Sequence, residues 1–308
     1  MDLHYPRSQI FLTAVHKSGS TSAMNFFGAL ENYLVKNELE MKKSNNFAAV
    51  ELSYKEMPWE IHSDQDLAIQ YVVSSDFNPQ GELLCSIAIV RDPLERFTSF
   101  WFNKIVLMRD STYYEMAKTY FQNVEISNME SIRENAKEFL KSDEFTRRFG
   151  GDAHLKPQTL SIQVNRKYDL VIETKELNLI PQRLVKKFPH FGFMESSKFP
   201  HYNNTEKELT GSFYDNELVN LVLNAYSEDV KLLEKENLTL SHHKAHYGGE
   251  PEPGVLDQIN NIRAKEIANL MMSAMDSITA ERDSVLNSRI WRFSRFYRES
   301  KLLNRKNR

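Results

Sequence analysis

The 308-residue sequence contains only one cysteine, Cys85, and this scarcity excludes a fold that depends on disulfides. We expect a reducing compartment and a buried, structural role for Cys85, because it stands inside an apolar run. The sequence also lacks any run of about 18 apolar residues, the length that a membrane-spanning helix requires. Its first residues have no basic start followed by an apolar core, so we expect a cytoplasmic protein.

The sequence contains no internal repeat and no cluster of His, Cys, Asp and Glu at metal-ligand spacing, so we expect no metal. The formal net charge of −3 is small, but it is unevenly distributed. Residues 1–254 carry −8, whereas residues 255–308 carry +5. The acidic main part argues against a dedicated nucleic-acid-binding protein. A hydrophobic content of 41% indicates an ordinary globular core.

Apolar, β-favouring runs alternate with helical patterns over most of the chain, which predicts an α/β fold with a parallel sheet. The first run, residues 10–15, leads into a loop and then into a helix from Thr21 to about Asn37. Further strands are expected at Ala68–Val73, Leu84–Val90 and Tyr168–Ile172, and helices around 94–107, 111–124, 129–142 and Asp215–Glu236.

The segment 247–254, YGGEPEPG, is the predicted linker because it combines glycine and proline with little apolar content. We therefore predict one domain over residues 1–246 and a helical, basic amphipathic tail over residues 255–308. Near its end the tail alternates arginine with aromatic side chains, a pattern that suits an anionic membrane surface. We expect the tail either to make peripheral contact with the inner face of the membrane or to mediate homo-oligomerisation.

The stretch IFLTAVHKSGSTS, residues 10–22, predicts an anion-binding loop between a strand and a helix. The free N–H groups and the dipole at a helix start favour phosphate or sulfate. Gly19 permits close approach of the backbone, and Lys17 adds a full positive charge. In the loop G-x-x-x-x-G-K-[ST] of nucleotide triphosphatases the lysine follows the second glycine, whereas Lys17 precedes Gly19, which disfavours a Mg-ATP site. The hydroxyl donors of the loop are those of Ser18, Ser20 and Thr21.

A second anion-binding motif, RDPLERFTSFW, starts directly after the predicted strand Leu84–Val90. Pro93 suits the first turn of a helix that follows a strand. Arg91 stands at the strand end, and Ser99 follows eight positions later on the predicted helix. An arginine fork and a hydroxyl that converge from a strand and a helix can bind a second phosphate.

Together the two motifs resemble the nucleotide site of sulfotransferases that use 3′-phosphoadenosine-5′-phosphosulfate (PAPS). In that family a K-x-G-[ST]-[ST] loop holds the 5′-phosphosulfate, and an R-D-P-x-x-R-x-x-S segment holds the 3′-phosphate. Both patterns occur here in that order, with Arg91 74 positions after Lys17. The resemblance covers about residues 8–236 and is closest in character to the bacterial-type carbohydrate branch. The segments that resemble that branch are DAHLKPQ (152–158), YDLVI (168–172), HYN (201–203) and AYSED (225–229).

The resemblance implies a P-loop-like parallel sheet flanked by helices, with the helical tail outside the matched region. It also implies transfer of a sulfonate group from PAPS to a hydroxyl of a carbohydrate acceptor, such as a surface polysaccharide or a glycolipid, with release of adenosine 3′,5′-bisphosphate. Lys17 would offset the charge on the departing nucleotide, and no metal is required. The residues that the resemblance assigns to PAPS binding are Lys17, Ser18, Gly19, Ser20, Thr21, Arg91 and Ser99.

A general base is the part of the site that the sequence leaves open. The family places a His or Glu near the end of a strand between the two motifs, often in G-H-F, and this chain has S-D-F there instead. Asp76 is therefore the candidate by position. His62 is the candidate by chemistry, because the ordinary pKa of histidine suits proton transfer near neutral pH. Glu60, His154 or another group is the remaining alternative for the base. His154, from the H-x-x-P-Q segment, is also the candidate for contact with the acceptor. A purely structural role is the alternative for Asp76, His62 and His154.

Two other functions stay open at this point. A non-catalytic relative would keep the nucleotide and lack the base, and the departure from the family pattern at Asp76 fits that alternative. A nucleotide-dependent kinase on a related fold is the second alternative. The position of Lys17 and the lack of a Mg²⁺-type motif argue against the kinase.

Overall fold

The computed structural model describes residues 2–5, 8, 10–15, 22–24, 26–28, 30–31, 85–121, 125–162, 167–189, 213–238 and 253–288. The strands in this part of the chain are β1 (Asp2–Tyr5), β2 (Ile10–Ala14), β3 (Cys85–Val90) and β4 (Leu170–Glu173). The α-helices are α1 (Pro93–Phe100), α2 (Tyr114–Tyr120), α3 (Met129–Lys141), α4 (Asp143–Phe149), α5 (Ile180–Lys187), α6 (Asn216–Ala225), α7 (Ser227–Lys235) and α8 (Val255–Asn287). A π-helix (Trp101–Val106) continues α1, and 3-10 helices occupy Ser111–Tyr113, Gln158–Leu160 and Thr174–Leu179. Residues 22–24, 26–28, 30 and 31 are also helical.

The strands form one sheet in the order β1-β2-β3-β4, in which β2, β3 and β4 are parallel. All residues of β2 and β3 are buried, as expected for strands that are covered on both faces. Ala14 is in register with Ile89, and Val90 is in register with Glu173. The carboxyl ends of the three parallel strands therefore lie at the same edge of the sheet.

The predicted α/β fold is confirmed, and the three predicted strands that lie in the described residues are present within two positions of their expected bounds. β1 was not expected; it pairs antiparallel with β2 and extends the sheet by one strand. Four residues with alternating polar and apolar side chains give too short a pattern to stand out in the sequence. The predicted strand Ala68–Val73 lies outside the described residues.

Helices cover both faces of the sheet. On one face, the helical residues after β2 and helix α5 pack on the strands through Phe26, Phe27, Ile180 and Leu184. Cys85 belongs to this apolar cluster and is fully buried, which raises the pKa of its thiol. The opposite face is covered by a smaller cluster, made of Val15, Val90, Ile162 and Leu233.

A larger helical cluster surrounds Trp101, at the start of the π-helix. Its indole stacks on Phe97 and lies within 5.4 Å of the Phe139 ring of α3, measured between ring centroids. Lys137 of α3 also forms an ion pair of 2.7 Å with Asp215, the residue that caps α6. Aromatic packing and charge pairing thus hold α3 and α6 against the helix that follows β3.

The single helix predicted at Asp215–Glu236 is wrong, because the chain forms two helices, α6 and α7, that meet at Tyr226. The Tyr226 backbone leaves the helical region, with φ −104° and ψ 30°. Its hydroxyl donates a hydrogen bond of 2.8 Å to the carbonyl of Leu155, and Arg96 lies over its ring. These tertiary contacts anchor the Tyr226 side chain at the junction. The helical periodicity of the sequence could not predict them.

Helix α8 begins after Gly254, which has the left-handed φ of 84° that favours glycine. Val255 and Ile259 are buried against the helical cluster, whereas Met271, Met275 and Ile278 are more than 60% exposed. The first turns of α8 therefore pack on the main body, and the later turns project an apolar stripe outward. Among the described residues, no helix has the length and apolar character needed to cross a membrane. The division at the linker 247–254 stays a prediction.

Arg263 anchors α8. Its side chain is buried, and its guanidinium donates hydrogen bonds to the carbonyls of Val106 (2.6 Å) and Phe121 (3.1 Å). Burial lowers the pKa of Arg263 to about 10, so the group remains charged at neutral pH.

We predict that Arg263→Met lowers the free energy of unfolding by about 2–4 kcal/mol, because buried carbonyls lose a charged donor. Urea unfolding measures the change. The control is Arg282→Met on the same helix, where 64% of the Arg282 side chain is exposed and a change below about 0.5 kcal/mol is expected. Equal stability of the two variants would contradict the anchoring role.

Candidate functional site

The turn between β3 and α1 carries the second anion motif, and Asp92 fixes its shape. The Asp92 side chain accepts hydrogen bonds from the N–H groups of Leu94 (2.9 Å) and Glu95 (3.3 Å) and thus caps α1. Pro93 begins the helix, as the motif predicts. Asp92 is fully buried, so its role in the structure is that of a scaffold for the neighbouring Arg91.

Arg91 lies at the carboxyl edge of the sheet with part of its side chain exposed to solvent. Its Nε atom is 3.4 Å from Glu95 Oε2, one helical turn further along the chain. Ser99 lies on α1 one turn beyond Glu95, whereas Arg91 precedes the helix. The ion pair with Glu95 therefore holds the Arg91 side chain against the first turn of α1.

Ser99 stands next to the π-helix and is almost completely buried. Its carbonyl accepts a hydrogen bond of 2.9 Å from the Asn103 side-chain amide. π-helical segments inside α-helices are frequent at functional sites. The change from α-helix to π-helix directly after Ser99 is a feature that the sequence did not predict.

Arg96, the second arginine of the motif, is directed inward and is 1% exposed. Its guanidinium lies 5.7 Å from the centroid of the Tyr226 ring, a cation–π contact. Burial lowers the pKa of Arg96, and the nearby Tyr226, Asp229 and Asp152 oppose that shift. Arg96 thus joins α1 to the junction of α6 and α7.

His154 lies in the turn that follows α4, within a polar cluster. Its main-chain N–H donates to Asp152 Oδ1 at 2.8 Å, and its ring is 5.9 Å from the ring of Tyr113. The Tyr113 hydroxyl donates to both carboxylate oxygens of Asp152 at 2.8 Å, and Arg148 pairs with the same carboxylate. Burial and Asp152 raise the pKa of Tyr113. The predicted acceptor-binding histidine accordingly lies in a cluster with three other polar residues, Tyr113, Asp152 and Arg148.

Sequence reasoning missed Glu173, which ends β4 at the same edge as Arg91. Its side chain is 1% exposed, and burial raises its pKa, although Lys175 Nζ lies 2.6 Å from Oε2 and opposes the shift. The Thr174 hydroxyl donates to the carbonyl of Val90 at 3.0 Å, so this strand end is tied to β3. An acidic residue directly after the apolar run YDLVI was the signal available in the sequence.

Sequence reasoning also missed the contacts that Gln158 makes with Arg91. The Arg91 N–H donates to Gln158 Oε1 at 2.8 Å, across 67 positions of the chain. Asp229 in turn accepts a hydrogen bond of 2.9 Å from the Gln158 N–H. Both residues belong to segments that resemble the carbohydrate branch, but the pattern alone did not indicate what they contact.

Residues 16–21 of the first anion motif and both candidate bases lie outside the described residues. β2 nevertheless ends at Ala14 beside Ile89, so the chain enters the first motif from the sheet edge that holds Arg91. In the portion that the structure describes, no group of three or more His, Cys, Asp and Glu side chains is placed to hold a metal ion. The residues outside the description are Lys17, Ser18, Gly19, Ser20, Thr21, His62 and Asp76.

Comparison with known proteins gives one match, which is to a family. The sequence model of the sulfotransferase family matches residues 4–236, which is more than half of the chain and includes both anion motifs. No curated protein and no solved structure matches the chain.

We predict that Asp92→Ala lowers the free energy of unfolding by about 1 kcal/mol, because α1 loses its cap. Asp92→Asn is the matched control: asparagine caps a helix about as well, so its loss should stay below about 0.5 kcal/mol. Chemical unfolding of the two variants measures the difference. Equal losses in both variants would show that the cap does not stabilise this turn.

Proposed function

Because the chain belongs to the sulfotransferase family, we propose that it transfers a sulfonate group from PAPS to a hydroxyl of a carbohydrate, releasing adenosine 3′,5′-bisphosphate. The family match supports sulfonate transfer in general. The choice of PAPS as donor and of a carbohydrate as acceptor is the further step that we propose.

The geometry around Arg91 is the observation that carries the proposal. A partly exposed arginine, Arg91, stands at the carboxyl edge of β3, and Ser99 lies on the helix that follows. β2, whose end precedes the first anion motif, is the neighbouring parallel strand. Ligands of α/β sheets bind outside the carboxyl ends of the strands. A ligand with two separate anionic groups, as PAPS has, would reach from Arg91 to the loop that follows β2.

Each residue of the motifs has a defined task in this proposal. PAPS supplies the sulfonate group that is transferred. Arg91 and Ser99 hold the 3′-phosphate, while the hydroxyls and N–H groups around Gly19 orient the 5′ end of the nucleotide. Lys17 offsets the negative charge that builds up on the departing nucleotide. Positioning and electrostatic stabilisation of the transition state supply most of the rate enhancement, as in phosphoryl transfer.

The acceptor assignment rests on the segments that resemble the carbohydrate branch, and His154 is the residue that we propose to contact the sugar. His154 is partly exposed in a cluster with Tyr113, Asp152 and Arg148, and such donors and acceptors suit a hydroxyl-rich ligand. We propose a surface polysaccharide or a glycolipid assembled at the cytoplasmic face. The exposed apolar stripe of α8 supports contact of the tail with a membrane or with a second copy.

One experiment tests this function against its alternatives. The protein is incubated with sulfur-labelled PAPS, or with ATP, and a panel of glycans, and both transfer and nucleotide affinity are measured. Transfer of label from PAPS to a glycan is the expected result. Binding of PAPS without transfer to any acceptor would indicate a non-catalytic relative. Absence of PAPS binding would overturn the proposal, and phosphate transfer from ATP would indicate a kinase.

We predict that the two anion motifs contribute differently to the kinetics. Arg91→Ala should weaken the affinity for adenosine 3′,5′-bisphosphate about 30- to 100-fold, because a charged hydrogen bond to phosphate is lost. Lys17→Ala should lower kcat about 100- to 1,000-fold, because its charge acts mainly in the transition state. Calorimetry and initial rates measure the two effects. The control is Arg147→Ala, whose side chain is 68% exposed on α4 and should leave both quantities unchanged.

The identity of the base is decided by pH dependence. If His62 accepts the proton, kcat/KM should rise with pH through about 6.5, and His62→Asn should lower kcat about 100-fold or more. If Asp76 is the base, the profile should be flat above about pH 5, and Asp76→Asn should cause the loss instead. Full activity in both variants would exclude both candidates.

A further inference from the structure

We propose that Gln158 and Asp229 are positioning residues of the nucleotide site, which direct the Arg91 side chain by holding its main chain. The inference rests on the proposed function, because it takes Arg91 as the ligand of the 3′-phosphate. The family resemblance supplies the segments that contain both residues, but it gives neither residue a role.

Gln158 pairs with both main-chain groups of one residue. The Arg91 N–H donates to Gln158 Oε1 at 2.8 Å, and Gln158 Nε2 donates to the Arg91 carbonyl at 2.7 Å. The register of β3 with β4 reaches Val90, one position earlier. The side-chain amide therefore occupies the place that a further strand partner would take, and it restrains the backbone dihedrals of Arg91.

Asp229 holds Gln158 in turn. One carboxylate oxygen accepts from the Gln158 N–H at 2.9 Å, and the other accepts from the Thr159 N–H at 3.0 Å. The Thr159 hydroxyl also donates to this carboxylate, at 3.2 Å. A side chain from α7 thus satisfies the first N–H groups of the 3-10 helix that starts at Gln158. Hydrogen bonds then run from Asp229 through Gln158 to Arg91.

The neighbours of Arg91 are restrained as well. The carbonyl of Val90 accepts from the Thr174 hydroxyl at 3.0 Å, and Asp92 caps α1 on the other side. Gln158 holds the main chain of Arg91, the residue between Val90 and Asp92. The backbone is thus held at Val90, Arg91 and Asp92, which fixes the point from which the Arg91 side chain extends beside Glu95.

Burial supports a positioning role over simple packing. Gln158 and Asp229 are both fully buried. Placing an amide and a carboxylate in the interior costs free energy unless every polar atom is paired, and here both side chains pair with main-chain groups. What the polar pair provides is a single geometry at Arg91. Displacement of a binding group by about 1 Å is enough to lower activity up to 100-fold.

The test compares two ligands that differ only in the group that Arg91 holds. In Gln158→Leu, the affinity for adenosine 3′,5′-bisphosphate should fall about ten-fold, whereas the affinity for adenosine 5′-monophosphate should stay within about two-fold. In the Arg91→Ala background the same substitution should have no additional effect, because the arginine that it positions is absent. Asp229→Asn should reproduce the ligand-specific loss, because one carboxylate oxygen is replaced by an N–H donor that faces another N–H. Calorimetric titration measures all affinities.

The chain offers a matched control in Asn260 of α8. Its amide also bridges one residue, accepting from the Ile126 N–H at 2.8 Å and donating to the Ile126 carbonyl at 3.0 Å. Asn260→Leu removes the same kind of hydrogen-bond pair and should leave both nucleotide affinities unchanged. If Gln158→Leu does not fold, Gln158→Asn replaces it, because it keeps an uncharged amide near Asp229 but is one methylene shorter and reaches Arg91 less well. A smaller loss with the same ligand preference is then expected.

The outcomes separate this inference from the proposed function. If the unaltered protein does not bind adenosine 3′,5′-bisphosphate, the proposed function fails. If Arg91→Ala weakens binding but the Gln158 variants bind like the unaltered protein, only the positioning role fails. Equal loss for both ligands, or a further loss in the double variant, would also overturn it, because either result indicates general damage to the fold.

Discussion

Parallel pairing of β2 with β3 is the constraint on which the site depends. Two parallel neighbours must end at the same edge of a sheet, so the chain leaves both strands on the same side, although about 70 residues separate them. The burial of every residue in both strands fixes this register, since a slip by one position would reverse the direction of each side chain. The relation between the two anion motifs therefore follows from the core.

Much of the fold was predictable because its signals are local. The runs that became β2, β3 and β4 are apolar and β-branched, and the helices α1 and α3 follow clear periodic patterns. Long-range contacts set what the sequence could not predict. Tyr226 divides a continuous helical pattern because its hydroxyl and ring are engaged by Leu155 and Arg96. β1 is stabilised by its partner strand, and its own four residues carry little signal.

The site shows the same division between local and long-range information. The strand, turn and helix around Arg91 and Ser99 were predictable because they lie within one short segment, and the roles of the two residues stay a prediction. The inward direction of Arg96 was not predictable, because it depends on contact with the Tyr226 ring at the junction of α6 and α7. Gln158 lies 67 positions after Arg91, and Asp229 lies a further 71 positions along the chain. Matching segments can suggest that such residues matter, but only coordinates reveal that one holds the backbone of another.

The burial of the single thiol has a practical consequence. Cys85 is fully enclosed by the sheet and its covering helices, and burial keeps it in the unreactive thiol form at neutral pH. The native chain therefore reacts very little with maleimides and other thiol reagents. Cysteines introduced at exposed positions, such as Arg147 on α4 and Met275 on α8, can carry spectroscopic labels with little background. Distances between labels on α4 and α8 can therefore be measured directly in solution.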